Sequence, residues 1–404
     1  MDSRTMRLKV LALTKLFWPE GGGAELATYL IVEEVLSKSF DVAVISGTRR
    51  PKPDVLETVN YIYWSALESK YKPVEWLRLL ANTRQFIKLV EKADVVYIPS
   101  HTLIPMAMVA KLVKPSVKVV LHLHNFQVLT YTSIVLAGRG PDAATDAIVE
   151  YREHGSLLRA LLAGLGHYVN YIERLAITSA DNVICVSQRQ CEILLRYLPE
   201  LRGKAVVVYN LPPPLPNVGK KVSREPTLIY SGGESYIKGF HVVAEALVRV
   251  LKRYDCKAYV IGGRKASPQE GLRLRSLRKK LGDKLIFLSR MPHEEYLKLH
   301  ESAWGLLFPS ICEEPLPYAV VESMLMGTIP VAARVGGVPE IVEGSPAEEY
   351  LFTPGDVEEF VDKIESLLLH SRDNIADAGS KLREAALKKF DSKTIEKKLM
   401  EAFS

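Results

Sequence analysis

The chain has 404 residues, more than one hydrophobic core usually serves, so two domains of about 200 residues are expected. With 48% hydrophobic and 25% charged residues it is globular and not disordered, and 53 Lys+Arg against 47 Asp+Glu leave a mild +6 without the dense basic block of a nucleic-acid footprint. Cys185, Cys191, Cys256 and Cys312 lack C-x2-C spacing, which argues against a zinc site or disulfide framework and fits a reducing compartment.

Short apolar runs alternate with helix-length periodic segments, the pattern of βαβ units in parallel sheets. The first run, 8–13, is too brief for a signal peptide and has no small-residue cleavage site, so it reads as a buried strand. No run approaches the apolar length of a membrane span. The strand leads into Phe17-Trp18-Pro19-Glu20-Gly21-Gly22-Gly23-Ala24-Glu25, and a helix begins near Ala24. Three glycines let backbone N–H groups approach a ligand, and the helix start favours an anion. The loop is neither a Walker A sequence nor G-x-G-x-x-G, and a plain turn remains the alternative.

Further strands are expected at 42–46, 59–63, 95–98 and 117–123. The last carries His122 and ends at His124, on one face because alternate strand residues point the same way. Metal ligation is the weaker reading, since no third ligand cluster lies nearby and the chain has no Asp-x-Asp. Residues 126–155 have no clear period and read as a mobile, acceptor-facing loop. The apolar stretch 157–166 that follows reads first as a core helix and second as a membrane-surface segment reaching a lipid-linked acceptor. Strands at 183–186 and 206–209 complete the first series.

Leu211-Pro212-Pro213-Pro214-Leu215-Pro216 can continue neither sheet nor helix and marks a connector. The expected organisation is therefore a domain over 1–211, a linker over 212–226, a second domain over 227–390 and a terminal helical segment over 391–404. The strand series restarts at 228–231 and continues at 258–261, 285–288, 305–308 and 329–332. After the first of these comes Ser231-Gly232-Gly233-Glu234-Ser235-Tyr236-Ile237-Lys238-Gly239, with a helix from about Phe240. Lys238 adds a full charge to the partial positive charge of a helix end, which suits a phosphate clamp and a departing diphosphate.

The densest signal is Phe308-Pro309-Ser310-Ile311-Cys312-Glu313-Glu314-Pro315-Leu316-Pro317-Tyr318-Ala319-Val320-Val321-Glu322, followed by Gly336-Gly337-Val338-Pro339-Glu340. If Pro317 opens the helix as its first residue, Glu314 and Glu322 are staggered beside a helix N-terminus that attracts anions. Such a pair suits a ligand with hydroxyls at both ends and a diphosphate between them.

This stretch resembles the E-x7-E region of retaining glycosyltransferases of the GT-B fold, group 4. The likeness extends from Gly21 to the final helix. It implies an α/β architecture of two doubly wound, Rossmann-like parallel-sheet domains facing a central cleft, with the terminal helix returning to the first domain. It also implies metal-independent transfer of a hexose from a UDP- or GDP-sugar to an acceptor hydroxyl with retained configuration, no cofactor beyond that co-substrate, and no enzymic nucleophile. Glu314 and His124 would orient the donor sugar, Glu322 the ribose, and Lys238 would stabilise the leaving group, with donor contacts from Gly22, Gly23, Gly232, Gly233, Gly262, Arg290, Leu316, Tyr318 and Ala319.

Three positions depart from the family pattern. Gly233 stands where an arginine is common, Ser289 replaces a glycine, and Leu316-Pro317-Tyr318 replaces a Phe-Gly pair; Arg264 or Arg290 could supply the missing charge. The acceptor, whether glycan, lipid-linked or small molecule, is not specified. No nucleic-acid partner is expected, and a cytoplasmic location, at the inner membrane face if the 157–166 segment touches lipid, fits best. Two rivals stay open: a non-catalytic nucleotide-sugar binder on the same scaffold, and an NAD-dependent enzyme using Gly21, Gly22 and Gly23.

Overall fold

The computed structural model describes residues 7–68, 72–215, 220–262 and 276–404. The chain divides into two units, one comprising Met1–Ile134, Leu162–Pro213 and Ser392–Ser404, the other Val135–Leu161 and Pro214–Asp391. Part of what its position in the chain assigns to the first domain, Val135–Leu161, thus belongs to the second unit.

The first unit is built on a parallel sheet of β1 (Lys9–Thr14), β2 (Asp41–Ser46), β3 (Asn60–Tyr63), β4 (Val95–Ile98), β5 (Lys118–Leu123), β6 (Asn182–Cys185) and β7 (Ala205–Val207), in the order β3-β2-β1-β4-β5-β6-β7. Helices cover both faces of such a sheet, so its strands read as unbroken apolar runs. Val10, Leu11, Ala12 and Leu13 of β1 are all buried. The terminal helix Ser392–Phe403 packs into this unit: Phe403 lies against Tyr97 and Phe40, and the Asn182 side-chain amide donates to the Ala402 carbonyl at 2.6 Å.

The second unit carries a parallel sheet of β8 (Thr227–Tyr230), β9 (Lys257–Ile261), β10 (Leu285–Leu288), β11 (Gly305–Phe308), β12 (Ile329–Ala333) and β13 (Leu351–Phe352), in the order β10-β9-β8-β11-β12-β13. The predicted strands recur with ends unchanged or moved by at most two residues, while β13 is too short to leave a periodic signature. In both sheets the first strand sits between its successors, at the point where the winding reverses. Ligands of open α/β sheets bind beyond the carboxyl ends of the strands at such points.

Two local expectations are corrected. Residues 126–155 are not irregular throughout: helix Ala143–His154 runs through them, capped by the Asp142 carboxylate accepting from the Thr145 N–H and closed by Gly155 in the left-handed region. Pro317 is the N-cap and not the first helical residue; its ψ of 113° is extended, so helix Tyr318–Leu325 begins one residue later.

Candidate active site

In the second unit the two loops at the switch point, after β8 and β11, carry Lys238 and Glu314. The structure brings them together: the Lys238 ammonium donates to Glu314 Oε1 at 2.6 Å, and Ser310 Oγ donates to the same oxygen at 2.9 Å. Burial alone would depress the Lys238 ammonium, but the charge of Glu314 and its hydrogen bond outweigh it and hold the lysine above its ordinary value. Cys312 behind the pair is pushed far up by burial and by Glu314, so it stays a thiol.

The β8 loop owes its shape to glycines. Gly233 has φ +62° and donates its N–H to the Ile261 carbonyl, so an arginine there would be strained. Gly239, at φ +73°, passes so close to Pro309 that a Cβ would overlap its carbonyl. A Cβ on Gly232 would press on Tyr230 and Lys238.

The loop is also held from outside. Glu153, on helix Ala143–His154, accepts from Ser235 Oγ at 2.7 Å and from the Ile237 N–H at 2.9 Å, and Arg152 lies over the Tyr236 ring. The Glu314 loop is braced on two sides. Leu136 and Cys312 form an antiparallel bridge, with the Glu313 N–H donating to the Val135 carbonyl at 2.8 Å. Opposite, the Gly336 N–H donates to the buried Glu313 carboxylate at 2.7 Å and the Gly337 N–H to the Glu314 carbonyl at 2.8 Å. Gly336 sits at φ +50°, and a Cβ there would overlap the Glu314 backbone. Segment 135–153 therefore frames both loops where a mobile element was expected.

Glu322 is not a solvated flank acid. It is 4% exposed on helix Tyr318–Leu325, and its Oε1 lies 2.7 Å from Nε2 of His293. Tyr296, one turn beyond His293, is raised by burial and by the Glu322 charge, and its hydroxyl lies 3.5 Å from Ser231 Oγ. Leu316 and Tyr318 are buried beside this helix start and Ala319 is its second residue, whereas Gly262 directly follows β9 and Arg290 is exposed after β10. Gly263 and Arg264 lie outside the described residues. His293, Glu153 and Ser235 were missed because each acts through a fold-dependent neighbour, without a sequence motif.

In the first unit, His122 and His124 face the same way, with ring centroids 4.3 Å apart. His122 is buried and its Nδ1 lies 2.8 Å from the Tyr97 hydroxyl; burial, then the neighbouring His124, push its pKa far down. His124, just past the end of β5, is lowered by burial to about 4, so both rings are neutral near pH 7. Among the described residues no cluster of three or more His, Cys, Asp or Glu could hold a metal. Gly22 caps helix Gly23–Ile31, and its N–H donates to the Glu25 carboxylate at 2.7 Å; Gly23 is the exposed first helical residue. The Glu25 carboxylate thus takes an N–H that an anionic ligand would otherwise use.

Residues 21–211 match the family model described as Glycosyltransferase Family 4, and residues 214–387 match that of Glycosyl transferases group 1. The chain belongs to this glycosyltransferase family. The chain is 36% identical over 103 residues to the sulfoquinovosyl transferase SQD2 of Arabidopsis thaliana, a stretch covering 24% of the chain and spanning 19% of that relative's length. It superposes on the sucrose-phosphate synthase of Thermosynechococcus elongatus with a TM-score of 0.75 at 17% identity, over 98% of each chain. Anabaena HepE in complex with UDP-glucose gives 0.71 at 20% identity, over 98% of this chain and 99% of that one. At such identities the likeness is one of fold, and that fold is GT-B: two parallel-sheet α/β domains.

Proposed function

We propose that the chain transfers a hexose from a UDP- or GDP-sugar to an acceptor hydroxyl with retained anomeric configuration and without a resident metal. The observation that carries this reading is the Lys238–Glu314 pair, 2.6 Å apart at the switch point of the second sheet. A cation there neutralises charge developing on a departing diphosphate, while the paired carboxylate is pre-aimed at the sugar it leaves. Glu322, held by His293, takes the ribose hydroxyls. Gly232, Gly233 and Gly262 keep the loops close to the donor, and Leu316, Tyr318 and Ala319 shape the helix start beneath it. The UDP-glucose in the HepE structure supports a nucleotide-sugar donor.

The acceptor class is a glycan, a lipid-linked hydroxyl or a small molecule met on the cytoplasmic side. Thermal shift with UDP and GDP, followed by mass spectrometry of donor turnover, tests the assignment. Stabilisation by neither nucleotide would overturn it. A non-catalytic binder is the second reading, motivated by Gly233 in place of an arginine; nucleotide binding with neither transfer nor donor hydrolysis would establish it instead.

A further inference from the structure

Helix Leu157–Gly166 is folded inside out for a protein surrounded by water. Leu157, Leu158, Leu161, Leu162 and Leu165 fall within an arc of about 140° at 100° per residue. All five are exposed, from 56% to 77%, whereas the small Ala160 and Ala163 on the other side are buried. A helix in water normally does the opposite.

The inversion continues in helix Asn170–Ile177. Tyr171, Ile172 and Leu175 are exposed, with Tyr168 just before them at 64%, while the polar Asn170 and Glu173 are fully buried. Gln127 Nε2 donates to Glu173 Oε1, and Arg174 turns inward to donate to the carbonyls of Val128 and Leu129. From Leu162 onward all of this lies in the first unit, which also leaves Val74, Leu77 and Leu80 of helix Lys72–Ala81 exposed around the buried Glu75 and Trp76. Large contiguous apolar patches of this kind mark interaction sites.

We propose that the face formed by Leu162, Leu165, Tyr168, Tyr171, Ile172 and Leu175 docks on an anionic lipid surface. Charge selects this occupant. Between residues 154 and 180 the single acid is the buried Glu173; Arg159 is exposed and paired with Glu150, and Arg174 is half-buried on the carbonyls of Val128 and Leu129. An apolar face free of exposed acid and carrying tyrosines is the composition of an interfacial helix. No described helix is long and apolar enough to cross a membrane, so the contact is with one leaflet. The inference rests on exposure and charge alone and does not depend on the donor or the reaction.

Flotation of the full chain with phosphatidylcholine vesicles, with and without phosphatidylglycerol, tests it. The chain should float with the anionic vesicles and far less with the neutral ones. The triple variant Leu162→Glu, Leu165→Glu, Leu175→Glu should lose at least about tenfold in partitioning, each leucine removed from water being worth that much or more. Because the three side chains are exposed, the variant's thermal unfolding and UDP response should match the parent's, which separates loss of docking from loss of fold or donor site. Absence of flotation, equal flotation of the variant, or a dimer in analytical ultracentrifugation that the variant dissolves while vesicles bind neither form would overturn the proposal; the last would assign the face to a second copy of the chain.

Discussion

Replacing Lys238 with methionine keeps most of the side-chain volume and removes the charge that faces Glu314. In the folded chain Glu314 Oε1 then retains Ser310 Oγ at 2.9 Å as its donor, with the Cys312 thiol at 3.6 Å as a weak second. The lysine side chain is 38% exposed and the glutamate 12%, so the pair lies between a solvent-screened surface pair and a fully buried one. Its loss should therefore destabilise the chain by about 1–3 kcal/mol, between about 1 kcal/mol for exposed pairs and the 3–5 kcal/mol of broken buried ones.

Catalysis should suffer more. If the ammonium stabilises charge that appears only as the diphosphate leaves, removing it should lower kcat by about 10²–10³-fold, with a smaller rise in the donor KM. The assay is steady-state turnover of the donor sugar followed by mass spectrometry, with urea unfolding run in parallel. A kcat within about twofold of the parent, in a variant that still binds nucleotide, would refute the role given to Lys238.

Glu322→Gln should weaken UDP or GDP binding about ten- to hundredfold by calorimetry, the scale of one charge-assisted hydrogen bond, and leave kcat closer to the parent. Equal affinity would remove Glu322 from the nucleotide site. Gly336→Ala should cost about 1–3 kcal/mol in urea unfolding, because its positive φ and the adjacent Glu314 backbone leave no room for a Cβ; an unshifted midpoint would contradict that packing. The folded His124 has a pKa near 4 against an ordinary 6.5, so below pH 6.5 the unfolded chain takes the proton first. Its contribution to stability is present above pH 6.5 and is lost as pH falls from there toward 4. His124→Asn should flatten the acid limb of the midpoint-versus-pH curve, and an unchanged limb would place the titration elsewhere.

Much of the frame could be read from local pattern. Strands buried on both faces must be apolar throughout, so β1, β4, β8 and β11 announce themselves as short runs, and Lys238 and Glu314 follow two of them closely enough to be placed at their carboxyl ends. The glycines at 232, 233, 239 and 336 could be singled out as loop residues because few others tolerate those backbone angles or that close an approach. Helix starts were less secure: Pro317 suits either the cap or the first turn, and only its ψ separates the two.

What the chain's own order left undecided was every contact between distant segments. Glu153 meets Ser235 across 82 residues and His293 meets Glu322 across 29, with no fixed spacing linking either pair. The alternation of apolar and polar residues in 157–177 says that one face differs from the other, and it is equally compatible with a leucine face turned inward. Which face meets solvent depends on what the rest of the fold puts behind Ala160, Ala163 and Glu173, because burial is a property of neighbours and neighbours are assigned only when the chain closes on itself.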